Sequence, residues 1–276
     1  MTATGLGRRH GDRWALHECD FTLPEGSVTA LVGANGAGKT TLLHLLAGLL
    51  TPTEGTAALA KGGRVAFVAQ DNPLYPHFTA TDMLCFGRRA NSVWDEAYAR
   101  RWLDQFDVPL RRTCRTLSGG QQTQVALAVA LGSCPSVLLL DEPLSALDPL
   151  ARNAVMSGVL EAAAERGITV LLSTHVIAEL GGVADRLLLL AAGRLALAGQ
   201  VDDLLERHVY RSGPRADAPS GVGTVVRASH SAAHSRFLVR HDPGVPDAST
   251  PAPRWTSTPV PLEELVLAYL TAAEAR

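Results

Sequence analysis

The sequence predicts an α/β protein with a mostly parallel β-sheet that is covered by helices on both faces. Short apolar runs alternate with stretches of helical periodicity along most of the chain. The runs cover residues 27–33, 64–69, 136–141, 168–173 and 186–190. Because they are almost continuously apolar, they are typical of strands that are buried on both faces.

The composition excludes several kinds of protein. With 276 residues, 46% of them hydrophobic, the chain is long enough for one sizeable domain and an appendage. Its 25 basic and 27 acidic side chains give a formal charge of −2, so no general attraction to nucleic acid is expected. The four cysteines form no CxxC pair, which argues against a zinc site or a disulfide framework and favours a reducing cytoplasm. Residues 1–14 lack the apolar stretch of a signal peptide, and the apolar run at 187–192 is too short to cross a membrane.

Changes of pattern along the chain predict its organisation. Between residues 71 and 116 the β pattern disappears, and WDEAYARRWLDQF at 94–106 reads as an amphipathic helix, so we expect an inserted helical lobe there. After about residue 210 the composition shifts to Ser, Pro, Gly and Ala, with candidate strands GTVVRAS and SRFLVR and a final helix PLEELVLAYLTAAEA. We therefore expect a main domain at 1–210 and a small α+β C-terminal extension at 211–276.

The strongest motif is GANGAGKTT, which matches the phosphate-loop pattern G-x-x-x-x-G-K-[ST] between a predicted strand and a predicted helix. Its glycines let the backbone approach phosphate, and the helix adds the positive end of its dipole. Lys39 is expected to reach the β- and γ-phosphates of ATP, and the Thr40 hydroxyl to coordinate Mg²⁺. We reject an ordinary glycine turn, because the full pattern stands in its proper context. The loop residues expected to contact nucleotide are Gly33, Asn35, Gly36, Gly38, Lys39, Thr40 and Thr41.

A second motif, VLLLDE, delivers two adjacent carboxylates at the end of an apolar strand, where α/β sheets bind ligands. Asp141 is expected to hold magnesium, and Glu142 to polarise the water that attacks the γ-phosphate. A solvated loop is the alternative for such a pair in isolation, but the phosphate loop in the same chain favours an active site.

A third motif, LSGGQ, stands immediately before a helical run. Ser118 is suited to a simple N-cap, and the two glycines ease the turn. A serine hydroxyl, glycine amides and a helix N-terminus also make an anion site. Because the chain already has one such site in its phosphate loop, a second one suggests that two subunits share the nucleotide.

These motifs, together with SALD and STH, resemble those of the nucleotide-binding subunits of ABC transporters over roughly residues 5–205. The resemblance implies a P-loop NTPase fold with an ABC-type core, including an N-terminal antiparallel β subdomain. It also implies two cassettes packed head to tail, with each ATP between the phosphate loop of one and the LSGGQ of the other. The residues implied on the second side are Ser118, Gly119, Gly120 and Gln121.

The resemblance assigns roles to four further positions. Gln70 matches the glutamine that contacts magnesium and the attacking water, Asp148 the aspartate at the subunit boundary, and His175 the histidine that senses the γ-phosphate. Without the surrounding motifs, Gln70 would be a polar loop residue and His175 a structural one, and Asp148 before Pro149 also suits an N-cap. For adenine stacking, His10 occupies the position of the usual aromatic residue, and Trp14 lies close enough to compete.

The implied function is that of an ATPase, cytoplasmic and peripheral on the inner face of the cell membrane, that powers a separate transmembrane permease. A homodimer is favoured over a heterodimer, and no nucleic-acid partner is expected. The segment PLEELVLAYL resembles the ending of bacterial drug and antibiotic exporter cassettes, which favours export of a drug- or antibiotic-like molecule; a plain amphipathic helix is the alternative. A soluble ABC ATPase acting on ribosomes or DNA is the competing function, which the lack of a second cassette or a basic extension disfavours.

Overall fold

The computed structural model describes residues 1–71, 73–145, 147–176, 182–219, 223–241 and 254–274. Within them the strands are β1 (Thr2–His10), β2 (Arg13–Thr22), β3 (Val28–Val32), β4 (Glu54–Ala58), β5 (Val65–Val68), β6 (Val137–Leu140), β7 (Thr169–Thr174), β8 (Arg186–Ala191), β9 (Arg194–Gln200), β10 (His208–Pro214), β11 (Thr224–His230), β12 (His234–Arg240) and β13 (Thr256–Pro259). The helices are α1 (Lys39–Leu46), α2 (Ala80–Ala90), α3 (Glu96–Gln105), α4 (Gly119–Gly132), α5 (Pro149–Arg166), α6 (Val201–Glu206) and α7 (Leu262–Glu274).

The central layer is a six-stranded sheet in the order β5-β6-β7-β3-β8-β9. All its neighbouring pairs are parallel except β8 with β9. Every residue of β3, β6 and β7 is buried, which accounts for their predominantly apolar sequences. The predicted mostly parallel sheet is confirmed.

Parallel pairing brings the carboxyl ends of four strands to one edge of this sheet. There β3 leads into the phosphate loop, β6 into Asp141, and β7 into His175, while Gln70 follows β5 by two residues. The backbone N–H of Asp141 donates to the Val68 carbonyl at 2.9 Å, so the hydrogen bonding between β5 and β6 continues as far as the backbone of Asp141. The motifs separated along the chain therefore share one edge.

An antiparallel sheet in the order β2-β1-β4 lies beside the central layer, as the ABC-type core implies. Its inward side chains include Leu6 and Leu16, both fully buried. They share a hydrophobic core with Leu42 of α1 and Leu31 of β3. The sheet thereby supports the helix that begins at the phosphate loop.

The helices α2, α3 and α4 share one hydrophobic core. The helical lobe predicted at 71–116 contains α2 and α3, and its bounds stay a prediction. The predicted helix at 94–106 is α3, and its Trp102 ring N–H donates to the Gln124 side chain of α4 at 2.7 Å. The ring of Trp94 packs against Gly87 and Gly132, where a Cβ at Gly132 would lie 2.7 Å from it. The LSGGQ motif forms the start of α4, and this tight packing fixes the position of α4 relative to α2.

The C-terminal unit consists of a four-stranded antiparallel sheet, in the order β11-β12-β10-β13, together with α7. The two predicted strands are β11 and β12, and the predicted final helix is α7. The predicted boundary at residue 210 falls within β10. The division into 1–210 and 211–276 stays a prediction. In the part of the chain that the structure describes, no helix combines the length and apolar character needed to cross a membrane.

A buried histidine at the start of β10 links α7 to α6. Nδ1 of His208 donates to the Leu204 carbonyl at 2.6 Å, and Nε2 accepts the Tyr269 hydroxyl at 2.9 Å. Burial lowers the pKa of His208, so the ring is neutral near pH 7 and can accept from Tyr269. One side chain therefore joins α6, β10 and α7.

Candidate active site

The backbone of the phosphate loop explains its glycines. Gly36 and Gly38 have φ angles of 80° and 108°, in the left-handed region that glycine adopts readily. A Cβ at Gly33 would lie 2.6 Å from the Leu190 carbonyl oxygen, so the loop passes closely over the end of β8. The loop then enters α1 at Lys39, where the first N–H groups of the helix have no partner within the helix. Together these features form an anion-binding helix N-terminus.

The ammonium group of Lys39 is buried among oxygen acceptors of the phosphate loop and of Glu142. The side chain is 6% exposed. Its Nζ donates to the Gly33 carbonyl at 2.9 Å and lies 3.3 Å from Oε1 of Glu142. A buried charge is costly unless it is paired, so these two contacts stabilise the cation where the phosphate loop and the end of β6 meet.

The two carboxylates are positioned by a serine on the neighbouring strand. The Ser173 hydroxyl accepts the backbone N–H of Glu142 at 2.8 Å and donates to Oδ1 of Asp141 at 2.7 Å. Glu142 itself has a φ of 45°, a strained backbone for a non-glycine residue and one that is common at functional sites. Sequence reasoning missed this role of Ser173, although the serine stands in the STH motif.

His175 completes the cluster, because its Nδ1 lies 3.1 Å from Oε2 of Glu142. Its ring is half exposed, whereas the Glu142 side chain is 11% exposed. Glu142 thus contacts Lys39 through one oxygen and His175 through the other. Such an arrangement can hold a carboxylate in a fixed orientation toward a water molecule above the sheet edge.

Oxygen ligands suited to magnesium are present at this edge. Asp141 is 2% exposed, and its Oδ2 accepts no hydrogen bond from any residue that the structure describes. Thr40, in the first turn of α1, adds an exposed hydroxyl, and Gln70 is exposed after β5. Because Mg²⁺ prefers carboxylate and hydroxyl oxygens, this donor set fits the ion.

LSGGQ forms the N-terminus of α4 with a capping box. Ser118 Oγ accepts the Gln121 N–H at 3.3 Å, and Gln121 Oε1 accepts the Ser118 N–H at 3.2 Å. The predicted N-cap is confirmed, and Ser118 and Gly119 are exposed to solvent. The predicted contact of this motif with a second subunit's nucleotide stays a prediction.

Asp148 caps α5, since its Oδ1 accepts the Ala151 N–H at 2.9 Å and Pro149 is the first helical residue. Its predicted role at the subunit boundary stays a prediction, and the side chain is exposed.

The geometry leaves both candidates for the adenine contact open. His10 is exposed at the end of β1. Trp14 is half-buried, with the His17 ring 4.5 Å and the Arg9 guanidinium 5.7 Å from its ring centre. Part of the Trp14 ring is therefore already covered by His17 and Arg9. The His10 ring has no such contact among the described residues.

Comparison with known proteins gives three findings on the sequence. Residues 16–145 match the family model described as ABC transporter. The Fe(3+) ions import ATP-binding protein FbpC of Yersinia pestis bv. Antiqua (strain Antiqua) is 35% identical over 220 residues, which cover 74% of this chain and 63% of that protein. The molybdenum import ATP-binding protein ModC of Mycobacterium tuberculosis (strain CDC 1551 / Oshkosh) is 37% identical over 222 residues, 72% of this chain and 60% of that protein. The chain thus spans less than two thirds of the length of these relatives.

Solved structures agree with the fold. The ATP-binding subunit of an ABC transporter superposes with a TM-score of 0.66 at 27% identity, covering 74% of this chain and 91% of that one. A dimeric post-hydrolysis cassette bound to ADP and Pi gives a TM-score of 0.64 at 24% identity, covering 72% and 98%, and shows the fold alone. The predicted P-loop fold with an ABC-type core is confirmed.

The predicted likeness to exporter cassettes is wrong, because both curated relatives are named as import ATP-binding proteins. The expected export of a drug- or antibiotic-like molecule is overturned with it. PLEELVLAYL, on which it rested, lies at the start of α7, where Leu265 and Val266 are fully buried against the central sheet. Its apolar pattern is explained by packing and carries no information on direction.

Removing the Ser173 hydroxyl should impair catalysis more than nucleotide binding. Ser173→Ala leaves Asp141 and the Glu142 N–H without their shared partner, a loss of about 1–3 kcal/mol. If this loss falls on the transition state, kcat falls by about 5- to 150-fold. Steady-state ATPase assays and ATP titrations measure the two effects. Ser145→Ala is the matched control, since Ser145 is exposed and, among the residues that the structure describes, its hydroxyl donates to the Glu142 carbonyl and not to a carboxylate of the site. An equal fall in kcat in both variants, or an unchanged kcat in both, would contradict a positioning role for Ser173.

Proposed function

Because residues 16–145 match the family model described as ABC transporter, we propose that this chain is the ATP-binding and ATP-hydrolysing subunit of an importer that works with a transmembrane permease. One observation carries the proposal. Four side chains converge with the phosphate loop at one edge of the sheet, namely those of Lys39, Asp141, Glu142 and His175. Glu142 lies 3.3 Å from Lys39 and 3.1 Å from His175, and Ser173 donates to Asp141 at 2.7 Å. That set supplies a phosphate-binding cation, a metal ligand and a base, which phosphoryl transfer to water requires.

In the proposed mechanism the triphosphate binds over the N-terminus of α1, and Lys39 donates to its oxygens instead of to the Gly33 carbonyl. Glu142 then orients the attacking water, with His175 holding the carboxylate's second oxygen. Asp141 and Thr40 would hold Mg²⁺, with Gln70 beside them. That ion supplies charge neutralisation on the phosphates. Ser173 holds the Asp141 carboxylate and the backbone of Glu142 in place during these steps.

We propose that two copies of the chain enclose the nucleotides, and exposed groups support this. Ser118 and Gly119 present a helix N-terminus to solvent, which suits the phosphates of a nucleotide on a second copy. Leu150, at the start of α5 and next to the cap Asp148, is 83% exposed. A second copy that covered Leu150 would remove its apolar surface from water, which is favourable.

A surface for the permease lies on the helical lobe. The rings of Tyr75 and Phe86 are 49% and 41% exposed and lie 5.2 Å apart. Phe78 extends the cluster, 4.8 Å from Tyr75. Tyr75 and Phe78 lie in the segment between Gln70 and α2, and Phe86 lies in α2, so a protein bound there is placed to respond to events at the site. Aromatic side chains of this kind are typical anchors of protein interfaces.

The direction and cargo are proposed from the relatives. The named relatives import Fe(3+) ions and molybdenum, so we propose uptake of a small inorganic ion by the complete transporter. The chain would then lie on the cytoplasmic face of the membrane, attached through its permease. Nothing in its near-neutral charge favours a nucleic-acid partner.

Replacing the proposed base should separate binding from turnover. Glu142→Gln keeps the shape of the side chain but removes the base, so ATP should still bind while kcat falls at least about 100-fold. Because the γ-phosphate then persists, the variant should elute as a dimer in ATP and as a monomer in ADP during size-exclusion chromatography. Wild-type turnover by Glu142→Gln would remove Glu142 from its role, and a monomer in ATP would contradict the shared site.

Transport measured in vesicles tests the direction. The chain is purified with the membrane protein retained after mild detergent extraction and reconstituted with ATP on the cassette side. We expect ATP-dependent movement of ferric iron or a molybdenum oxyanion toward that side, and none with Glu142→Gln. Movement away from the cassette would contradict import. Co-sedimentation with ribosomes, in place of a polytopic membrane protein, would favour the soluble alternative.

A further inference from the structure

The C-terminal unit contains a cavity of about 200 Å³ between its sheet and α7. Its lining combines polar side chains from β10, β11 and β12 with both polar and apolar side chains of α7. The cavity lies outside the candidate active site, and none of the roles assigned above uses it. Its size suits a small organic molecule better than a nucleotide.

The acidic group in this cavity is already neutralised. Glu264 lies 3.2 Å from Arg236 and also accepts the Tyr210 hydroxyl. The Arg236 guanidinium stacks 3.5 Å above the centre of the Tyr210 ring, which fixes its orientation. Burial raises the pKa of Tyr210, so its hydroxyl stays a donor at neutral pH.

A second cation in the lining has no such partner. Arg227 of β11 is exposed and makes no ion pair with the residues that the structure describes. Ser229, two residues along the same strand, adds a hydroxyl donor to the lining. The cavity therefore carries a net positive charge, with one arginine and one serine available to an anion.

Apolar walls complete the cavity. Leu238 of β12 is 1% exposed and lines the interior, whereas Leu267 of α7 is 51% exposed at the cavity. An inorganic anion would leave the exposed surface of Leu267 in water. A carboxylate with an apolar body would satisfy the arginine and cover Leu267 together.

We propose that this cavity binds a small organic carboxylate, with the carboxylate on Arg227 and Ser229 and the apolar body on Leu238 and Leu267, and that its occupancy changes the affinity of the chain for ATP. The site lies beyond the function proposed above, and carboxylate binding is measurable without any ATPase activity.

The link to the nucleotide runs through α7. Leu265 and Val266 share a hydrophobic core with Ala30 and Val32 of β3, the strand that leads into the phosphate loop. Further along the helix, Leu270 and Ala273 face residues 34–37 of the loop across a cavity of about 220 Å³. A ligand that holds Leu267 alters the position of a helix that borders the loop, so the two sites are coupled reciprocally.

Calorimetry with benzoate as the probe tests the binding. We expect saturable binding to the wild type. The Kd of Arg227→Gln should be about 10-fold higher, because one charge-assisted contact is lost. Arg207→Gln is the matched control, because Arg207 is exposed and lies outside the cavity lining, and it should bind as the wild type does. Benzyl alcohol and inorganic phosphate, which each lack half of the recognised chemistry, should bind at least about 10-fold more weakly.

Benzoate that fails to bind, binds equally to Arg227→Gln, or binds no better than inorganic phosphate would overturn the site. The coupling is tested by titrating a fluorescent ATP analogue with and without saturating benzoate. We expect its Kd to change at least about 3-fold for the wild type and for Arg207→Gln. For Arg227→Gln, about a 10-fold higher benzoate concentration should be needed to produce half of that change. An unchanged Kd in the wild type, with benzoate bound, would overturn the coupling.

Discussion

Burial of the Lys39 ammonium is the constraint on which the active-site edge depends. A charge that is 6% exposed has to be paired, and here the Gly33 carbonyl and the Glu142 carboxylate do so. The first partner comes from the phosphate loop after β3, and the second from the end of β6, with β7 between these strands in the sheet. The parallel order of the strands therefore serves electrostatics as well as packing.

The local parts of this site follow from the sequence, but the contacts between strands do not. Positive φ at Gly36 and Gly38 and the caps at Ser118 and Asp148 depend on a few neighbouring residues, so motif and spacing predict them. The bond from Ser173 to Asp141 spans two strands whose pairing, Leu140 with Leu172, no local pattern fixes. The strand order and the docking of α7 on the central sheet were unpredictable for the same reason.

The predicted direction of transport failed for a related cause. Residues that bind and cleave a triphosphate perform the same chemistry in either direction, so they carry no sign of import or export. The final helix supplied the only directional hint, yet its apolar residues pack beneath the central sheet and, through Tyr269, contact His208. In this chain α7 packs against β3, the strand that leads into the phosphate loop. This contact is why we propose that a ligand of the C-terminal unit changes the affinity for ATP.

The most direct measurement is a structure of the wild-type chain with a non-hydrolysable ATP analogue and Mg²⁺. We expect Lys39 Nζ to leave the Gly33 carbonyl and to lie about 3 Å from a phosphate oxygen, with Ser118 of a second copy on the far side of the triphosphate. Phosphates bound elsewhere, with Lys39 still held by Gly33 and Glu142, would contradict the central claim.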